Sequence, residues 1–439
     1  MSEFGQVLDA QGAKKETIEV YCEVVRILKL RLGKDHIRIA DVHNRKGTVY
    51  IAREEYDLAL KSFQEALEIY TQQLGSDAVE VGQTMHNLGG VYDSMGNFDK
   101  ALKSFSEALR IFRLQLGNDD LQVALALNNA GINYARRKDY TEAIELCTEA
   151  LRIRRLSLGP DHMEVADALY NIGNILDEWG KDDQALKFYG EAMLLYRTKL
   201  GSDDLEVANC LQFIGSIHER KNEHDRAIAC FIECLRIYRK GGKGDSVDVA
   251  NILFSLGKLN EDLDDLDKAL ERFAQCLRIK KRDLGDDHLE VADIFRHIGS
   301  IYTKKKKHAQ AMNFLRNALR IYNKLFGAED IRYTDVLSSI AKLLAQNEEY
   351  DLALSHFHTC LLNYKQSLGK EDEKVADVLN HVGVIMSKRI DYEEAMKYLS
   401  GALKIRTKLF GRDSQEVANT MLEIGNLLED WGDSDEVSI

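Results

Sequence analysis

One proline, Pro160, stands in 439 residues, where ordinary usage gives about one in twenty. A Pro-rich linker is therefore excluded, and the chain reads as strongly helical. No apolar run approaches the ~18 residues of a membrane-spanning helix, and no signal-peptide pattern opens the sequence. Asn-x-Ser/Thr sequons are absent. Seven cysteines, an odd number irregularly scattered, make no disulfide framework. Basic residues are in the minority, 59 against 72 acidic ones, for a net charge of −13. That balance argues against nucleic-acid or anionic-membrane binding, which needs a basic surface. These absences lead to the expectation of a soluble protein of a reducing, cytoplasmic compartment.

What is present is a repeat. Leu-Gly recurs at Leu32-Gly33, Leu74-Gly75, Leu116-Gly117, Leu158-Gly159, Leu200-Gly201, Leu284-Gly285 and Leu368-Gly369, with Phe326-Gly327 and Phe410-Gly411 filling two further places. The step is 42 residues or a multiple of it, and only the place near 243 is degenerate (Gly-Gly-Lys-Gly, 241–244). Val-Ala keeps the same step at Val123, Val165, Val207, Val249, Val291, Val375 and Val417. The register predicts one array over 1–439 with joints near 33, 75, 117, 159, 201, 243, 285, 327, 369 and 411.

Each period reads as two helices. The acids that follow each joint (Asp35, Asp77, Asp119, Asp161, Asp203, Asp245, Asp287, Glu329, Glu371, Asp413) are expected as N-caps of a helix A. Glu80, Gln122, Glu164, Glu206, Glu290 and Glu416, three residues on, would complete a capping box. Helix B then ends at the next Leu-Gly, where Gly suits a left-handed C′ position. Basic residues near that end (Arg110, Arg152, Arg236, Arg278, Arg320, Lys404) complement the helix dipole. Mid-helix A carries Gly at 47, 89, 131, 173, 215, 257, 299, 383 and 425, with Ala341 the exception, and Gly5 stands in the same column. Early helix B carries Ala, then a bulky residue such as Phe63, Phe105 or Tyr189. Gly costs about 1 kcal/mol in a helix interior, so its recurrence implies close helix packing.

Asn87-Leu88-Gly89-Gly90-Val91-Tyr92 with Ala101, Phe105 and Ala108 resembles the tetratricopeptide repeat, whose usual length is ~34 residues. The longer period, and the joint Leu158-Gly159-Pro160-Asp161-His162 in particular, are similar to the kinesin light chain family. The resemblance implies an all-α fold, a right-handed α-α superhelix (TPR solenoid) of about ten antiparallel helix pairs with the A helices on the concave face. Kinesin light chains carry a heptad-rich segment before the repeats. This sequence opens inside a helix A at Met1, so motor binding does not carry over. It closes in a helix A at 413–432, expected as a terminal cap, where Trp431-Gly432 matches Trp179-Gly180.

The groove columns then follow from the A helices. One runs Arg45, Asn87, Asn129, Asn171, Phe213, Ser255, His297, Ser339 and His381. The position before it includes His86, Asn128, Tyr170, Phe254, Arg296, Ser338 and Asn380, and one turn on stand Arg136, Arg220, Lys304 and Lys388. A ladder of Asn amides can hold an extended peptide backbone whatever its side chains. In kinesin-light-chain-like grooves an Asn column has that role, and Asn87, Asn129 and Asn171 match it. The alternative reading is that these amides solvate a helix face or bond to neighbouring helices. Around 167–178 and 261–265 the groove reads as acidic. From 296 on it reads as basic, through Arg296, His297, Lys304, Lys342 and Lys388, which predicts an acidic or C-terminal-carboxylate partner segment there. Lys304–Lys307 also reads as a solvated turn.

No chemistry surfaces. There is no P-loop, His218-Glu219 with His224 has the wrong spacing for a zinc helix, and Cys230 with Cys234 lacks further ligands. His224 and His308 stand in a column otherwise held by Tyr, so they read as packing residues. Cys234, Cys276 and Cys360 fall in a small-residue column as buried thiols. The expectation is no enzyme, no cofactor and no metal. The chain reads as a protein-binding scaffold or adaptor, its peptide groove formed by Asn87, Asn128, Asn129, Tyr170, Asn171, Phe213, Phe254, Arg296, His297, Lys304, Lys342, Asn380 and Lys388. Alternatives are the ligand-sensing repeat half of a larger signalling ATPase-type protein, or a kinesin light chain-like cargo adaptor.

Overall fold

A computed structural model describes residues 14–436, so Met1 and Gly5 lie outside the described residues. The described residues form helices and turns only, in two compact units, Met1–Gly242 and Lys243–Ile439. The first unit holds α1 (Lys14–Leu32), α2 (Ile37–Ile51), α3 (Tyr56–Leu74), α4 (Val79–Ser94), α5 (Phe98–Leu116), α6 (Leu121–Arg136), α7 (Tyr140–Leu158), α8 (Met163–Glu178), α9 (Asp182–Leu200), α10 (Leu205–Arg220) and α11 (His224–Lys240). In the second are α12 (Val247–Asp262), α13 (Leu266–Leu284), α14 (Leu289–Lys304), α15 (His308–Phe326), α16 (Ile331–Gln346), α17 (Tyr350–Ser367), α18 (Glu373–Lys388), α19 (Tyr392–Phe410) and α20 (Gln415–Glu436). Even-numbered helices are the A helices and odd-numbered ones the B helices. Each A helix up to α18 packs antiparallel on the B helix that follows, and within each unit successive A helices also touch.

The small-against-large packing is explicit. A Cβ on Gly89 would lie 2.6 Å from the Phe105 ring, and one on Gly257 would lie 2.7 Å from Phe273. Both distances are far inside carbon contact, so at Gly89 and Gly257 the helix A can lie as it does on its helix B only because the side chain is absent. Gly425 on α20 has nothing within 4 Å of such a Cβ. A polar contact recurs in four of the repeats. Buried tyrosine hydroxyls on B helices donate to an acid on the paired A helix: Tyr70 to Asp41 (2.6 Å), Tyr196 to Asp167 (2.7 Å), Tyr322 to Asp293 (2.5 Å) and Tyr364 to Asp335 (2.7 Å). A buried hydroxyl left without a partner would cost about 1–3 kcal/mol, so these bonds fix the pairing as well as satisfying it.

Two joint details differ from the sequence expectation. The N-caps stand one residue later than the acids named above. Asp120, Asp204, Asp330 and Asp372, together with His36, His162 and His288, accept the backbone N–H two residues on. Glu80, Gln122 and their equivalents therefore sit at the second helical position, and no capping box forms. The displaced acids Asp77, Asp119, Asp203, Asp245 and Asp287 pair instead with Arg110, Arg152, Arg236, Arg278 and Arg320, each 33 residues ahead. Second, Gly117 at a joint has φ 90° and ψ 167°, which is extended positive-φ backbone rather than left-handed helix. Only glycine occupies that region readily.

The last helix, α20, packs on α19, and its Trp431 stacks on Tyr392 with ring centroids 6.0 Å apart, as Trp179 does on Tyr140. Its outer side leaves Met421, Leu422 and Leu428 exposed.

Candidate functional site

Within the first unit the expected groove residues all lie on A helices: Asn87 on α4, Asn128 and Asn129 on α6, Tyr170 and Asn171 on α8, Phe213 on α10. Their polar atoms tie those helices together. Asn87 Nδ2 donates to Asn44 Oδ1 (3.0 Å), Asn129 Nδ2 to His86 Nε2 (2.9 Å) and Asn171 Nδ2 to Asn128 Oδ1 (3.4 Å), each reaching back 43 residues to the preceding A helix. Asn128 Nδ2 in turn donates to Asn129 Oδ1 at 3.3 Å. Each of these amide nitrogens thus makes one contact inside the protein and has a second N–H besides. Tyr170 and Phe213 form one aromatic cluster with Tyr189, on which Phe213 stacks at 5.5 Å.

In the second unit Phe254 lies on α12, Arg296, His297 and Lys304 on α14, Lys342 on α16, and Asn380 and Lys388 on α18. Phe254 meets Phe273 and His297 edge-on, and His297 stacks on Phe273 at 5.2 Å. His297 Nδ1 is 2.9 Å from Glu261 Oε2, Ser300 Oγ donates to Glu261 Oε1 at 3.3 Å, and Lys304 Nζ lies 3.5 Å from the same carboxylate. Burial raises the pKa of Glu261, but the His297 hydrogen bond and Lys304 outweigh it, and the group stays ionised below its usual range. Glu261 from the acidic stretch and His297 and Lys304 from the basic one thus form one cluster. The turn that follows is likewise paired, Lys305 with Asp267.

Arg296 has no acid partner among the described residues, its Nη2 lying 3.1 Å from His297 Nε2. Lys342 and Lys388 make no ion pair among the described residues, and both line a cavity of about 210 Å³ with Ala345, Gln346, Tyr350, His381, Val384 and Ile385. Lys342 also borders an adjoining cavity of about 240 Å³ with Ser338, Ser339, Asp335 and Lys374, where Lys374 Nζ holds Asp335 at 2.6 Å. His381 stacks on Phe357 at 5.6 Å; burial, then the Lys342 charge, push its pKa down to about 4. Asn380 Oδ1 is buried without a hydrogen-bond partner.

Sequence reasoning grouped Arg136, Arg220, Lys304 and Lys388 in one column but missed the acids that face the first three. Arg136 pairs with Asp93, Arg220 with Asp177 and Lys304 with Glu261, again 43 residues back. The signal was a recurring acid at twice the repeat length.

Among the described residues no three His, Cys, Asp or Glu side chains could share a metal ion, and His218 pairs with Glu223 at 2.8 Å. His224 and His308 bury Nδ1 without a partner. All seven cysteines are free thiols; burial pushes the pKa of Cys147, Cys210, Cys276 and Cys360 up to about 12, which makes them poor nucleophiles. No described helix is long and apolar enough to cross a membrane.

The repeat of paired helices with its small-against-large seam is matched by family models described as tetratricopeptide repeat at residues 38–113, 122–198, 180–240, 207–282, 248–324 and 375–416. The chain belongs to the tetratricopeptide repeat family. Among solved structures this tetratricopeptide protein is similar to BtubC (BKLC) from P. vanneervenii, at 18% identity over 52% of this chain and 92% of that one, TM-score 0.47. It is also similar to a Podosopora anserina putative kinesin light chain with nearly identical TPR-like repeats, at 14% identity over 47% and 98%, TM-score 0.43. A third likeness is to the apo form of RapI, at 17% identity over 65% and 98%, TM-score 0.47. No curated protein matches the sequence.

Proposed function

We propose that this tetratricopeptide protein is a non-catalytic scaffold or adaptor that binds an extended, acidic segment of a partner protein along the A helices of its second unit. The observation that carries the reading is the set of cations Arg296, Lys342 and Lys388, half-buried to exposed on α14, α16 and α18, none of which makes an ion pair among the described residues, although Lys342 shares a cavity with Asp335 and Asp377. Elsewhere on the A helices Arg136, Arg220 and Lys304 are matched by acids. Preformed helices spend little ordering entropy of their own on binding, and their unpaired charges select the incoming peptide. The Asn tier of the first unit, tied internally, serves rigidity in this reading. Seven free thiols favour a reducing compartment such as the cytoplasm.

An array of immobilised, C-terminally amidated peptides spanning net charges from acidic to basic tests this. The intact protein is expected to bind the acidic members, and the triple variant Arg296→Glu, Lys342→Glu, Lys388→Glu to lose them while keeping its helical circular dichroism. Binding of no peptide, or binding indifferent to peptide charge, overturns the reading.

A further inference from the structure

The A helices carry an ion-pair ladder whose rungs recur at every second repeat. Its acids are Asp93, Asp177 and Glu261; its cations are Arg136, Arg220 and Lys304 on the next A helix. The acid is always the sheltered member, its side chain only 17%, 14% and 11% exposed in the three rungs. In the fourth rung the cation is present as Lys388, but the acid's place is taken by Ala345. The cavity of about 210 Å³ lies at that place, lined by Ala345 itself with Lys342, His381 and Lys388.

The third rung shows what such a place holds. There Glu261 is gripped by His297, Ser300 and Lys304. The fourth repeats the histidine as His381 and the lysine as Lys388 in the same columns, and Lys342, on the element that should have supplied the acid, stands where the third rung has Lys258. Within this unit the protein therefore carries both a filled carboxylate site and its unfilled counterpart.

We propose that the fourth rung is completed in trans: a glutamate or aspartate side chain of the partner's extended segment enters the cavity at Ala345 and pairs with Lys342 and Lys388. This deepens the scaffold reading and rests on it. Burial and Lys342 keep His381 neutral near pH 7, so its ring offers a hydrogen bond while the two lysines supply the charge. A carboxylate there gains charge-assisted bonds of the kind that make a short peptide contact specific. Lys342 and Lys388 line the same cavity, which makes a single carboxylate placed between them, rather than a run of charge, the unit of recognition.

The test uses fluorescence anisotropy of the intact protein with a labelled, C-terminally amidated peptide of about twelve residues alternating Gly and Glu, and its Gly–Gln counterpart. Ala345→Glu fills the place and supplies the acid internally; Lys388→Met keeps the place and removes the cation. The expected result is at least tenfold weaker binding of the Glu peptide by each variant, and of the Gln peptide by the wild type. Ala345→Glu should melt no lower than wild type, because it completes a rung, which separates site loss from unfolding. Wild-type affinity for the Glu peptide in Ala345→Glu overturns the vacant rung. If that affinity is still lost in the Arg296/Lys342/Lys388 reversal, the scaffold reading stands without it. If the wild type binds neither peptide, and no acidic member of the array, both fall.

Discussion

His86 shows how far a single side chain is committed to the architecture. Its Nε2 accepts from Asn129 Nδ2 at 2.9 Å, its Nδ1 is buried without a partner, and its ring rests against Phe105 at 5.5 Å. An acceptor nitrogen cannot also carry a proton, and burial holds the pKa down to about 4 against a small opposing contribution from Asn87. The sign follows. The unfolded chain, with an ordinary histidine near 6.5, takes up the proton first as pH falls. Stability is complete above about 6.5 and declines from there toward 4. One such group changes the slope by about 1.4 kcal/mol per pH unit. Urea unfolding across that window should show a slope shallower by close to one proton in His86→Asn, which still offers Asn129 an acceptor. An unchanged slope would place the protonated ring comfortably in the folded state.

At the scale of the helix, the joints separate two neighbouring acids into different tasks. Asp120 caps α6 through the Gln122 N–H at 2.8 Å, whereas Asp119 reaches Arg152 at 2.7 Å across exposed surface. Losing an N-cap costs about 1 kcal/mol, while an exposed ion pair is worth little in high dielectric and is screened by salt. Asp120→Ala should therefore lower the urea midpoint at any ionic strength. Asp119→Ala should have a smaller effect that disappears in high salt. The sequence could not tell these acids apart, because Asp119-Asp120 and Asp203-Asp204 present two equivalent residues and only backbone dihedrals decide which one caps. Other features were legible because they repeat with the chain's own period. Gly89 against Phe105 is visible at each 42-residue step, and so are the helix pairs. Contacts between A helices were not, because they run at 43: Asn171 meets Asn128, not Asn129. Aligning columns lists the residues while hiding their partners, which is why the bonds between the amides and the ion pairs went unseen.

For the whole molecule, the division between Met1–Gly242 and Lys243–Ile439 falls at the one degenerate joint. Eight regular joints resemble Gly117, with a single glycine at φ near 90°, whereas here Gly241 is at φ −77° and Gly242 at +74°. Repeat arrays draw stability from each repeat and its nearest neighbours, so a unit holding several complete helix pairs has what it needs to fold. The second unit has its own continuous core from Val291 on α14 to Ile385 on α18, including Leu315, Tyr322, Phe357 and Tyr364. It also contains every member of the vacant fourth rung. Expressed separately, both fragments should keep helical circular dichroism and unfold cooperatively in urea. The functional consequence is sharper. Lys243–Ile439 should bind the Gly–Glu peptide with an affinity within a few-fold of the intact chain, and Met1–Gly242, whose Arg136 and Arg220 are already matched by acids, should not bind it. Binding by the first fragment instead would return recognition to the Asn tier. Binding by the intact chain alone would mean that a partner segment must engage both units at once.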